Sequence, residues 1–566
     1  GPTWYVETEG NDTTGTGATD DPFRSIQAGI NFSSDTDSVA VAAGTYVENI
    51  NFRGRNIKVV GEDRETTIID GNENGSVVRI DNSESNILIK NFTLTNGSGT
   101  PTNDEVETIR GGAIYVATNN TSDVVNLDSI IIQNSTAVVG AGFFYLQSSG
   151  KISNTIIRNN TTTFEGGAGL IRGGAPDLEN VLITNNTLLD GRNVLRIDST
   201  NPSSDTVVVN KTTFVNNNIG TGNLLEIEWG SNVKVIHSTF DDRLSIHSAS
   251  VSAKIMYSNV PGGIDSLYSE GVLVGDSANV TWGSGNIDVD PMFVDTANGN
   301  YHLLASSQLI NAGDPDSLDS DGSIADIGAY PHLNTYSGPT WYITESGNDT
   351  TATGASDDPF RSIQSGINFS SDADSVTVAA GTYVENINFR GRNIKVVGED
   401  RETTIIDGNQ AGTVVIFENG ESNLALLNGF TITNGHDLYA GGILCDIGSN
   451  PILQNLIISN NIAANAGGGI SITNNSNPNI ISSLIFENTV GGNGGGLYCN
   501  NNSNPFLGGV TITNNSASGD GGGFYCNNNS NPFLSEIIIT NNLASEDGGG
   551  IYSVSSSITI SNSTIN

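Results

Sequence analysis

Five aspartates within a short span, Asp314, Asp316, Asp319, Asp321 and Asp326, are the side chains of this chain best suited to chemistry. Hard cations take several oxygen ligands. A run such as Asp319-Ser320-Asp321-Gly322-Ser323 turns carboxylates inward around a glycine, as calcium loops do. The spacing departs from the EF-hand pattern and lacks its distal bidentate Glu, so two readings stand: a structural calcium site, or an acidic solvated loop. A second set, Asp12, Asp20 and Asp21 with Asp349, Asp357 and Asp358, is weaker, and helix capping is its plainer role. His436, in Asn434-Gly435-His436-Asp437, stands alone and reads as a turn residue.

The elements that must position these side chains are repeats. Gly441-Gly442-Ile443-Leu444-Cys445 returns as Gly468-Gly469-Ile470-Ser471-Ile472, Gly495-Gly496-Leu497-Tyr498-Cys499, Gly522-Gly523-Phe524-Tyr525-Cys526 and Gly549-Gly550-Ile551-Tyr552-Ser553, at steps of 27 residues. Such a period marks a solenoid whose units bury their apolar faces only by stacking. The apolar runs are four to six residues long, β-branched and bounded by Gly, Asn, Ser and Pro, so they are strands and not helices. Two or three short parallel strands per 27 residues, each paired with its equivalent one turn on, make a coil of a parallel β-helix. Asn460, Asn488, Asn514 and Asn541 are then expected to form an internal amide ladder, with the Gly pairs supplying φ > 0 at the corners. Cys445, Cys499 and Cys526 fall on one coil position. Parallel Cβ vectors on adjacent coils do not suit a disulfide, so buried thiols are expected.

The wording Gly494-Gly495-Gly496-Leu497-Tyr498, followed by a strand and Asn514-Asn515, resembles the repeats of the polymorphic outer-membrane-protein and pectate-lyase-like right-handed β-helix families. The resemblance covers most of the chain and implies the fold and its handedness. It leaves function open, because lyases, hydrolases, tailspikes, adhesins and surface-layer proteins share the scaffold. It also sets a test for catalysis. A lyase of that kind needs calcium-binding carboxylates facing a Lys or Arg base, and a polygalacturonase needs clustered carboxylates with a nearby His. Asp241-Asp242-Arg243 with His247 is the nearest approach, but that family's Gly-His-Gly and Arg-Ile-Lys elements are absent.

Two modules organise the chain. Residues 1–72 and 338–409 are copies offset by 337; Asp20-Asp21-Pro22-Phe23-Arg24-Ser25-Ile26-Gln27 matches Asp357-Asp358-Pro359-Phe360-Arg361-Ser362-Ile363-Gln364 throughout. Asp21 before Pro22 predicts an N-cap and a short amphipathic helix, with Phe23, Ile26 and Ile30 on one face, laid across the first coil to cover its core and strand edges. The expected architecture is all-β: two tandem right-handed parallel β-helices, each with a short N-terminal capping helix. Residues 1–333 form the first, closed by 284–333; residues 334–337 form a linker; residues 338–566 form the second. That second copy ends at Asn566 in mid-coil, so either the natural chain continues or another subunit docks there.

The formal charge of -39, from 61 acidic and 22 basic residues, argues against nucleic acid and anionic membranes as partners. No stretch of about twenty apolar residues is present, so this segment inserts no helix into a bilayer. Asn-X-Ser/Thr sequons are numerous, as chance dictates in a chain so rich in these residues. The expectation is a non-enzymatic extracellular or cell-surface protein, structural or adhesive, self-associating end to end as a filament or sheath. The alternative is a polysaccharide lyase, hydrolase or glycan-binding module acting through the looser coils of 100–280.

Overall fold

The structure, a computed structural model, describes residues 1–102, 109–118, 120–198, 206–246, 251–269, 272–273 and 280–566. Its coils form a right-handed parallel β-solenoid of about 18 turns with two short helices. No helix among the described residues is long and apolar enough to cross a membrane.

Two compact units emerge, and they do not follow chain order. The first comprises Gly1–Pro291 with Asn311–Pro331; the second comprises Met292–Ile310 with His332–Asn566. Within the second unit, residues 292–310 lie against the capping region: the Asn368 amide donates to the carbonyls of Ala305 (3.0 Å) and Ser307 (2.8 Å), and Arg390 donates to that of Ile310 (3.0 Å).

Alternation builds the first unit. Val125–Asp128, Ser149–Ser153, Ala175–Thr184, Val207–Val215 and Asn232–Ile236 pair in parallel, one coil apart, along a single ladder. Leu127, Ile152, Leu178, Val209 and Val235 point inward along that ladder, and all are fully buried. Each such side chain contributes about 1.5–3 kcal/mol by leaving water, but only once the next coil covers it. A second face runs through Ile114–Ala117, Phe143–Leu146, Gly169–Arg172, Asn193–Asp198 and Asn223–Glu228. The second unit repeats the pattern with shorter strands. Ile443–Cys445, Ile470–Ile472, Leu497–Cys499, Phe524–Cys526 and Ile551–Ser553 stack in unbroken parallel register, so Cys499 lies directly opposite Cys526.

The glycines act differently from the expectation. In four of the five repeats positive φ belongs to the residue before the pair, Gly467 (62°), Gly494 (77°), Gly521 (65°) and Gly548 (66°). The pair itself is needed for close approach: a Cβ on Gly468 would lie 2.5 Å from the Gly495 carbonyl oxygen, and one on Gly469 2.5 Å from that of Gly496.

The two expected short helices are present as α1 (Ile26–Phe32) and α2 (Ile363–Phe369). Ile26, Gly29 and Ile30 of α1 are buried. The N-cap, however, is Ser25, whose hydroxyl accepts from the Ala28 amide (3.2 Å). Asp21 instead accepts from the Thr16 amide (3.0 Å), and Phe23, outside the helix, bridges to Val6. The helix starts later than Pro22 suggests because the 21–23 segment is already used as backbone partner to the first strand.

Candidate functional site

The aspartates of 314–326 do not converge. Asp319 pairs with the Lys211 ammonium and accepts from the Asp326 amide (2.8 Å); Asp326 accepts from the Asn311 amide (2.8 Å). Asp321 accepts from Ser323, and Asp314 from the Asp316 amide (3.1 Å). The carboxylates are spent on backbone amides and one lysine, in a segment folded onto its own unit. Among the described residues no three His, Cys, Asp or Glu side chains are grouped to hold a metal ion. The expected calcium ligands are thus engaged by amides and a lysine here instead of being gathered around one point.

Asp12 and Asp349 cap helix starts: Asp12 accepts from the Arg24 and Ser25 amides (2.8 and 3.0 Å), and Asp349 from those of Arg361 and Ser362 (2.9 and 3.2 Å). Glu48 and Glu385 each accept from the next two amides, the latter from Ile363 (2.8 Å) and Gln364 (3.0 Å). Asp241 and Asp242 accept backbone amides in their turn, while Arg243 donates to the Gly222 and Gly220 carbonyls; His247 lies outside the described residues. His436 is exposed on the short strand His436–Asp437.

The internal amide ladder exists, one residue along from three of the four expected positions. Asn461, Asn488, Asn515 and Asn542 are joined side chain to side chain at 3.0 Å per step. Asn460, Asn514 and Asn541 are exposed, with φ of 57°, 55° and 56°. In each Asn-Asn pair the first residue makes the left-handed corner and the second turns inward; Glu487 makes that corner before Asn488. The first unit has a ladder of its own through Asn160, Asn186 and Asn217. Cys445, Cys499 and Cys526 are buried free thiols, and burial pushes the Cys445 thiol up.

One cluster was not singled out from the sequence. On Asn193–Asp198 and Asn223–Glu228, Leu195, Ile197, Leu225 and Ile227 point into the core, which turns Arg196, Asp198, Glu226 and Glu228 to the opposite face, where all but Glu228 are still buried. Register places Arg196 opposite Glu226, and Asp198 between Arg172 and Glu228. The Arg196 guanidinium donates to Glu165, Glu228 (2.7 Å) and Asp198 (3.2 Å), and Arg172 donates to Asp198 (3.0 Å). Glu165 is fully buried and Arg196 is 6% exposed. Along the same row lie Leu170, Phe144 and Tyr115, which form a second buried cluster with Val139; the last two stack at 5.8 Å, and the exposed Arg192 covers the half-buried Phe164 ring at 4.2 Å. Burial first, then hydrogen bonding and charge from Glu228, push the Glu226 carboxyl up to about 7, against the opposing pull of Arg196. Two neighbouring carboxyls in unlike surroundings can divide acid from base. The strict alternation in Leu195-Arg196-Ile197-Asp198 and Leu225-Glu226-Ile227-Glu228 was the available signal.

No family model and no curated protein matches the chain. Solved structures similar to it include the pectate lyase Pel9A (14% identity, 59% of this chain and 97% of that one, TM-score 0.40) and a pectin methylesterase from carrot (15%, 51% and 83%, 0.32). The PL6-family alginate lyase AlyGC aligns over 100% of both chains at 11% identity and a TM-score of 0.23. The strand registers establish the fold independently of these likenesses.

Proposed function

We propose that this β-helix is an extracellular polysaccharide-directed module, which holds a glycan at the exposed Arg192–Phe164 edge of the Arg196 cluster in the first unit and uses the Glu226 carboxyl beneath it as a proton donor. The observation that supports this is the Glu226–Glu228 pair beside Arg196, next to the exposed Arg192 stacked on Phe164. Arginines supply forked donors to sugar hydroxyls or carboxylates, and aromatic rings supply apolar faces. A carboxyl still protonated near neutrality can donate to a leaving glycosidic oxygen. The test is affinity electrophoresis through neutral and uronic polysaccharides, with assays for new reducing ends and unsaturated uronate. Retarded migration and product are expected, and Glu226→Gln should lower product formation by about 100-fold or more while binding persists. Failure to bind or cleave any polysaccharide overturns the reading.

A structural or adhesive scaffold is the second reading, favoured by the unbroken register of residues 441–553, where Tyr498, Tyr525 and Tyr552 stack outward at 5.2 and 5.5 Å. Sedimentation at rising concentration tests its filament version, which strictly monomeric protein would refute.

A further inference from the structure

Residues 311–331 fold back over the coil corners of the first unit and roof a cavity there. The Ala329 amide donates to the Thr213 hydroxyl (2.9 Å), the Gly328 amide to the His237 carbonyl (2.8 Å), and Asp319 pairs with Lys211. The floor is a column of corner residues. Asn154, Asn180 and Lys211 lie one coil apart, each two residues ahead of the register-matched Ile156, Leu182 and Thr213, and all three hold left-handed backbone (φ of 51°, 55° and 46°). Arg64 reaches in from the turn between Lys58–Gly61 and Thr67–Asp70 and donates to the Asn154 carbonyl (3.0 Å). Between roof and floor remains a cavity of about 390 Å³, lined by these four residues and by Asp319, Ser320 and Tyr330 of the roof. That volume lies within the roughly 300–1,000 Å³ typical of small-molecule sites.

The charge of the lining runs against the rest of the chain. Acidic residues outnumber basic ones 61 to 22 overall, whereas here Arg64 and Lys211 stand against Asp319 alone. Behind the lining, Arg158 and Glu65 oppose each other at the Tyr330 phenol: burial pushes that phenol up, Arg64 and Arg158 pull it back, and Glu65 adds to the rise. Neither lining cation is used up among the described residues. Lys211 gives Asp319 one N–H of its ammonium, and Arg64 turns Nη1 to Asn154 and Nε to Glu65 (3.3 Å), so both keep donors for a ligand. Asn180, Ser320 and Asp319 add the mixture of donors and acceptors that a hydroxyl-rich molecule requires, and Tyr330 adds an aromatic ring.

We propose that this corner cavity binds a sugar-sized, polyhydroxylated ligand through one anionic group, a sulfate ester or a carboxylate, held by Arg64 and Lys211. It shares no residue with the Arg196 cluster, so it stands or falls apart from the cleavage proposed there. The net charge of -39 opposes an anion at a distance, but a Debye length of about 8 Å at physiological salt confines that opposition and leaves the local cations to decide.

The test is calorimetric titration of the full chain, at about 0.15 M salt, with galactose 6-sulfate, galacturonate and galactose. An anionic sugar should bind saturably and at least about tenfold more tightly than galactose, and comparison of the two anions shows which group is preferred. Ser320 is exposed on the lining, where charge can be changed without disturbing a coil. Ser320→Lys should tighten anion binding about threefold and Ser320→Asp weaken it by as much, with galactose unaffected. Absence of binding by both anionic sugars, equal affinity for galactose, or anion affinities unmoved by the two Ser320 variants would overturn the proposal. Loss of anion binding on Arg192→Ala would place the ligand at the Arg196 cluster and overturn it as well.

Discussion

Replacing Asn515 with alanine tests the register of the whole second unit. Asn515 is 1% exposed, and its carboxamide accepts from the Asn488 backbone and side-chain amides (both 3.0 Å) and donates to the Ile485 carbonyl (3.0 Å) and Asn542 Oδ1 (3.0 Å). Truncation takes one hydrogen bond from each of these four groups and opens a void too apolar for water to replace it. At about 1 kcal/mol for each hydrogen bond lost, Asn515→Ala should cost about 4 kcal/mol. Its neighbour Asn514 is exposed, with φ of 55°, and Asn514→Ala should cost only about 1 kcal/mol of left-handed strain. Coil energies in a solenoid are mainly local and nearest-neighbour terms, so the loss should be concentrated near one layer. Amide hydrogen exchange on 484–513 reads this directly. Opening there should become roughly a thousandfold easier in Asn515→Ala, alongside a lower denaturation midpoint by circular dichroism. If Asn514→Ala costs as much as Asn515→Ala, the inward-facing position has been misassigned and the reasoning fails.

Two pH effects follow from buried groups. Burial pushes Glu385, turned onto the α2 amides, up to about 7; its contribution is then full below its ordinary value of 4.5 and is lost as pH rises through 7. Glu385→Gln should remove that loss, seen as a smaller drop in melting temperature between pH 5 and pH 8. His237, 3% exposed, accepts the Asp314 amide at Nε2 (3.0 Å) and meets Asn210 Oδ1 at Nδ1 (3.0 Å). Burial, with Lys211 and Lys234 adding and Asp314 and Asp319 opposing, pushes it down to about 4. Its contribution is therefore full above 6.5 and is lost as pH falls towards 4, on the order of 2 kcal/mol. His237→Gln should flatten the stability profile across that window, and proteolysis of 311–331 at pH 5 should differ between the two proteins.

The sequence states its fold through period. Gly-Gly pairs and Asn-Asn endings at 27-residue steps can hardly be satisfied except by stacked coils, and the alignment of Cys499 with Cys526 bears this out. It does not say which asparagine of a pair turns inward, because both residue types fit the corner and only the backbone angle chooses. It misleads at Asp21-Pro22, where a local capping signal loses to pairing with the first strand. The aspartates of 314–326 look like a cation loop in one dimension; Lys211, more than a hundred residues away, is what claims Asp319. The Arg196–Glu226 cluster escaped because its members are thirty residues apart and bear no motif. Only register makes them neighbours.

Arg64, which donates to the Asn154 carbonyl (3.0 Å), and Arg401, which reaches that of Ser482 (3.4 Å), bear on how each unit comes apart. A stack whose layers touch only the layers above and below can shed its outermost member at little expense, then the next, like a fraying rope. A side chain fastened across two intervening layers turns several small losses into one larger one. The coils next to each helix are therefore stitched, and should open as one block instead of layer by layer.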